Sequence, residues 1–131
     1  MTDRDDSTGR ADDVSARTAN APARTAIVSG PDENAIADAL DGEGVDVTRL
    51  EDHPTQEALK TAGIADVDLY VFTDFVDATS VPIVRDLTDD VRIVAYASGS
   101  VPEFVRGQLD LAIDPRVMDA RIVSEELAGT A

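Results

Sequence analysis

The sequence predicts an α/β fold, a single doubly wound parallel five-stranded sheet in the order 2-1-3-4-5 with helices on both faces, Rossmann/flavodoxin-like. Three observations carry this. From Thr25 onward, short apolar runs alternate with longer amphipathic segments. The connections between them are short, so the strands run parallel and the helices cross back over the sheet. Right-handed crossovers then leave few topologies, of which 2-1-3-4-5 suits this order of elements.

The elements follow in order. TAIVS, Thr25 to Ser29, is the first strand, and residues 33–41 form a helix with Asp32 as N-cap and Gly42 or Gly44 as its stop. VDVTRL, residues 45–50, is the second strand. Residues 54–62 form a short helix closed by Gly63, and DLYVFT, residues 68–73, is a strongly apolar third strand. A helix over 78–87 accommodates Pro82 in its first turn. VRIVAYA, residues 91–97, is the fourth strand and residues 101–108 another short helix. LDLAID, residues 109–114, is the fifth strand, and residues 121–128 close the domain as a helix. The aromatic cluster Tyr70, Phe72 and Phe75 is expected in the core and at its rim.

The chain has 131 residues, enough for one domain with a core and too few for two. Residues 1–23 hold almost no large apolar side chain and are expected to be a disordered acidic tail, leaving 24–129 as the folded domain. Eleven basic residues stand against 27 acidic ones, a net charge of −16 spread along the chain. Nucleic acid and anionic membranes are therefore excluded as expected partners. The basic residues include one lysine, Lys60. Self-repulsion of this size costs stability at low salt, and molar salt, with a screening length of roughly 3 Å, removes most of that cost. The balance resembles that of haloarchaeal cytoplasmic proteins, so a halophilic, cytoplasmic protein is expected. With no cysteine, disulfides, thiolate metal sites and cysteine nucleophiles are excluded. No apolar run approaches the roughly 20 residues of a membrane span, so no direct membrane insertion is expected, and MTDRDDSTGR lacks the apolar core of a secretory signal.

In doubly wound sheets a ligand sits beyond the carboxyl ends of the strands, where the strand order reverses. Here that point lies between SGPDEN and TDFVDA. SGPDEN stands where a phosphate-binding GxGxxG would stand, but only Gly30 is present, and Asp32 and Glu33 bring carboxylates where phosphates would lie. The acids suit the helix dipole and repel a pyrophosphate. Glu51 follows the second strand, where an acid can accept ribose hydroxyls.

Three segments carry a family resemblance: AIVSGPDENAIADALDGEGVDVTRLE, EALKTAGIADVDLYVFTDFVDATSVPIVRDL and VRIVAYASGSVPEFVRGQLDLAIDPRVMDARIVSEELA. From Thr25 to about Ala128 the chain resembles the TrkA N-terminal (RCK-type, Rossmann-like) domain, a regulator of potassium channels and transporters, in a shortened, glycine-poor form. The resemblance implies a phosphate loop at Ser29, Gly30, Pro31, Asp32 and on to Asn34, a ribose acid at Glu51 and an adenine-side loop at Thr73 and Asp74. The implied cofactor is NAD(H) or another adenine nucleotide. The chain departs from the family in the missing glycines and in the gap between Glu51 and Glu57, too short for the usual additional helix and strand. A transport role is expected to need a separate partner.

Three functions remain open. The first is a small non-catalytic nucleotide-binding or regulatory module. The second is a ligand-free module for self-association or protein docking, as a homodimer or with a separate partner, for which Val101, Phe104 and Val105 would supply an exposed apolar patch. The third is a nucleotide-metabolism enzyme; short haloarchaeal chains resembling this one are sometimes labelled CTP synthetase, although the ATP site and glutaminase cysteine of that chemistry have no counterpart here. A response-regulator receiver could draw on Asp32, Glu33, Asp74 and Ser98 but lacks the lysine required after the fifth strand. His53, the only histidine, reads as a surface residue, and Asp89 and Asp90 as a solvated face. No catalytic residue and no metal ligand is assigned.

Overall fold

The computed structural model describes residues 23–129. The expected tail lies outside them except for Ala23, which is buried and donates its N–H to the Leu127 carbonyl at 3.1 Å. Five strands, β1 (Thr25–Ser29), β2 (Asp46–Leu50), β3 (Leu69–Phe72), β4 (Arg92–Tyr96) and β5 (Leu111–Ile113), form one parallel sheet in the order β2-β1-β3-β4-β5. This is the order 2-1-3-4-5, and the fold is the expected Rossmann-like α/β sheet.

Alternation along the strands separates two cores. Ala26, Val28, Leu69, Val71, Val94 and Tyr96 face one side. There they meet α1 (Ile36–Gly42) and α4 (Ala120–Ala128) through Ile36, Leu40, Val123 and Leu127. Ile27, Tyr70, Phe72, Ile93 and Ala95 face the other side, covered by α2 (Gln56–Thr61), α3 (Ser80–Leu87) and short 3₁₀ turns through Leu59, Ile64, Val81, Val84 and Val105. Each large side chain fully buried in these layers contributes about 1.5–3 kcal/mol. Tyr70, Phe72 and Phe75 form an aromatic chain in the second core and at its rim, Tyr70 and Phe72 tilted with ring centroids 6.3 Å apart and Phe72 and Phe75 edge to face at 5.9 Å.

The amino ends of the strands are tied by polar groups. The Asp68 carboxylate accepts from the Arg24 and Thr25 amides, and Asp110 accepts from the Ile93 amide at 2.8 Å. Arg85 donates to Asp110, to Val91 O and to Gln108 O at 2.8–3.0 Å. This end of the sheet is a structural lock; the carboxyl end is where the connecting loops stay open.

Two expected helices differ in form. The segment 33–41 becomes helical only at Ile36, because Ala35 takes a left-handed conformation (φ 57°) and Asp32 reaches forward to the helix from four residues away. The segment 101–108 is a 3₁₀ turn, Glu103–Gln108, that starts after Pro102. It buries Val105 fully and Val101 partly, leaving Phe104 the exposed member of the expected apolar patch, so that patch does not form. Pro82 stands third in α3, in its first turn, where a missing N–H costs no helical hydrogen bond. Among the described residues no helix is long and apolar enough to cross a membrane.

Candidate functional site

β1 and β3 are neighbours whose connections leave in opposite directions, one toward β2 and one toward β4, so their carboxyl ends splay around a cleft. The sequence builds the turn after β1 by close backbone approach. Gly30 has φ 95°, and a Cβ there would lie 2.6 Å from Thr73 Oγ1 and 3.2 Å from Asp77 Oδ2. Thr73 fastens the two strands: its N–H donates to Ser29 O at 3.0 Å, and its hydroxyl donates to Pro31 O, with Ser29 O 3.1 Å away as a second acceptor. From β2, the Arg49 guanidinium donates to Val28 O (2.9 Å) and Gly30 O (2.8 Å), so a cation from the edge strand holds the turn from the other side.

Asp32 occupies the start of α1. Its carboxylate oxygens accept from Ile36 N–H at 2.8 Å and Ala37 N–H at 3.0 Å. Those amides are the groups a dinucleotide pyrophosphate would use, and here an internal anion takes them. Asp74 caps the turn Phe75–Thr79 by accepting from Val76 N–H at 2.9 Å.

Below the turn lies a buried polar chain. The Tyr70 hydroxyl stands 3.0 Å from Ser29 Oγ and 2.8 Å from Ser80 Oγ, and the Ser80 hydroxyl donates to Asp77 O at 2.6 Å. Burial pushes the Tyr70 phenol above its usual range. Tyr70→Phe should therefore leave two buried hydroxyls short of a partner and cost about 1–3 kcal/mol, measurable by chemical denaturation.

Asp77 sits above this chain with its carboxyl buried, and burial raises its pKa from the ordinary carboxylate value against the pull of nearby His53. His53 Nδ1 lies 3.5 Å from Asp77 Oδ1, the imidazole 62 % exposed and the carboxyl 7 %. The only histidine thus remains at the surface, as expected, yet it spans from the loop after β2 to the turn after β3. Nothing in EDHPTQ signals this, because the partner lies 24 positions away and meets it only through the parallel pairing of β1 with both strands.

The cleft itself encloses about 210 Å³ and is lined by Pro31, Glu33, Asn34, Thr73, Asp74, Ala97, Ser98 and Pro115. Beside it Asp114, within 3.4 Å of Ser98 Oγ, is held down to about 2 by its hydrogen bonds from the exposed Arg116. Of the residues the sequence singled out, the cleft brings together Pro31, Thr73 and Asp74, along with Glu33 and Ser98. Gly30 lies behind Thr73 and carries the turn. Ser29 is fully buried with its hydroxyl toward Tyr70, and Asp32 is turned onto the α1 amides. Glu51 is exposed in the loop after β2 and is not part of the cleft lining. Asn34, the end of the loop implied by the family resemblance, also lines the cleft, whereas Arg49 and the His53–Asp77 pair have no place in the site expected from the sequence. The alternation of β1 carries the signal for Ser29, since Ile27 and Ser29 share the face that Tyr70 occupies.

The model of a family of unknown function, DUF7126, matches residues 26–127, from the first buried residue of β1 to the last turn of α4. The chain belongs to this family. No curated protein and no solved structure matches it. The DUF7126 match covers every element around the cleft, so the Gly30 turn, the Asp32 cap and the His53–Asp77 pair all lie inside the family domain.

Proposed function

We propose that this DUF7126 domain is a non-catalytic binding module of the TrkA N-terminal type, whose ligand is an adenine nucleoside or mononucleotide bound in the cleft between β1 and β3. The observation that supports the reading is the cleft's position at the switch point together with its polar lining of Asn34, Thr73, Asp74 and Ser98. Its volume lies below the roughly 300–1,000 Å³ of sites that enclose drug-sized ligands, which favours a nucleoside over a dinucleotide. Asp32 argues the same way, since its carboxylate holds the amides a pyrophosphate needs. In this pose Asp74 and Asn34 serve the ribose and base, and any phosphate points to solvent, away from Glu33.

Thermal unfolding in concentrated potassium chloride tests the reading with adenosine, AMP, ADP, ATP, NAD and NADH. Adenosine and AMP at a hundred times Kd should add about 2.7 kcal/mol, NAD and NADH markedly less. Ser98→Trp, which fills the cleft from an exposed position, should abolish the gain, and Glu51→Ala should keep it. Loss in Glu51→Ala with retention in Ser98→Trp would move the ligand to the ribose position implied by the family resemblance. A second reading, docking without a ligand, is favoured by Val76, Phe104 and Val117, which are 56–81 % exposed on the loops after β3, β4 and β5. Indifference to every nucleotide would support it.

A further inference from the structure

We propose that the open edge of β2, with the adjoining face of α2, binds a second copy of this chain about a two-fold axis through Thr48. The backbone direction of β2 is set by two hydrogen bonds. Asp46 N–H donates to Arg24 O and Leu50 O accepts from Gly30 N–H, so residues 46, 48 and 50 point their backbone groups toward β1. By the two-residue alternation of a parallel strand, Val47 and Arg49 point theirs outward, where no strand among the described residues pairs with them. Antiparallel pairing with a copy, Val47 opposite the second copy's Arg49 and Thr48 opposite its own equivalent, satisfies four of these groups and joins the two sheets.

This edge lacks the usual defences. Its five residues, DVTRL, contain no proline and no lysine, and the one arginine is folded back onto β1. The opposite edge, β5, is three residues long and stands between Asp110 and Asp114. Beside β2 runs an open groove of about 530 Å³, mostly apolar, lined by Thr48, Leu50, Glu57, Ala58, Thr61 and Ala62.

Charge selects the occupant. On a chain of net charge −16, an acidic second copy is repelled almost everywhere. The α2 face beside this edge is charge-balanced: QEALKT carries one acid and one base, Glu57 and Lys60, one turn apart. Lys60 is the chain's only lysine, and neither residue forms an ion pair with another described residue. A two-fold axis that pairs β2 with its copy runs the two α2 helices antiparallel, so that Glu57 of each faces Lys60 of the other. The neutral, self-complementary patch and the unpaired strand edge are thus contiguous, as an isologous interface requires.

Sedimentation equilibrium of the full chain in molar potassium chloride, over a wide range of protein concentration, tests the proposal. The wild type should show a concentration-dependent rise to twice the chain mass. Thr48→Lys, which forces two long ammonium-bearing side chains against each other at the axis and desolvates them while leaving a surface position in the monomer, should raise the dimer Kd at least about tenfold with an unchanged circular dichroism spectrum. A wild type that stays monomeric, or a folded Thr48→Lys with the wild-type Kd, would overturn it. Should Thr48→Lys fail to fold, the charge pair decides at the lowest salt that keeps the wild type folded. Lys60→Glu should weaken the dimer and the double exchange Glu57→Lys/Lys60→Glu should restore it; a Kd indifferent to both overturns the proposal.

Discussion

Gly30→Ala should be among the most damaging single substitutions in this domain, lowering stability by about 3 kcal/mol. Two causes add. An alanine at φ 95° is strained by about 1–2 kcal/mol, and its Cβ would stand 2.6 Å from Thr73 Oγ1, closer than non-bonded atoms tolerate. The turn cannot relax freely, because Thr73 bonds both Ser29 O and Pro31 O and Arg49 holds Gly30 O from the other side. Chemical denaturation of a double-mutant cycle separates the terms. Gly30→Ala combined with Thr73→Ala should cost less than the sum of the two single changes, since the clashing oxygen is gone. Strict additivity would show that Gly30 matters for its backbone angle alone.

Asp77→Asn should act in the opposite direction and stabilise the protein at neutral pH. Burial raises the Asp77 pKa in the folded state, with the Asp74 carboxylate adding to the shift and His53 opposing it. A group whose folded pKa is raised contributes its stability in full below the unfolded value, ordinarily 3.8, and loses it as pH rises through the folded pKa. At pH 7 the ionised carboxylate is therefore a cost that an amide of the same shape removes. The variant should melt a few degrees higher than wild type at pH 7, with the gap closing as pH falls below about 4. An equal gap at both pH values would mean that the gain comes from packing rather than charge.

How much could be read from the sequence follows from where the information lies. β1 was legible to the residue and the other strands to within one or two; for β1, β3 and β4 the reason is that strands covered on both faces are nearly unbroken apolar runs. The order of the sheet followed from short connections and the handedness of crossovers. Helix starts were less legible. Asp32 marks the beginning of α1, but it caps across Ala35 in a left-handed turn, and no propensity at Glu33 or Asn34 signals that detour. Residues 101–108 have helical spacing, yet after Pro102 they make only 3₁₀ turns. At the site, Thr73 and Asp74 could be placed because a strand end is visible in the sequence. The His53–Asp77 contact and the reach of Arg49 across β1 depend on neighbours distant in the chain, and only the assembled sheet brings them together.

The claim that the cleft between β1 and β3 is the binding site is tested most directly by following backbone amide resonances of the full chain during titration with adenosine in concentrated potassium chloride. Saturable shifts are expected at Asn34, Thr73, Asp74 and Ser98, with the amides of β2 and α2 unmoved. Saturable shifts confined to Glu51 and its neighbours, or none at the four cleft residues, would contradict it.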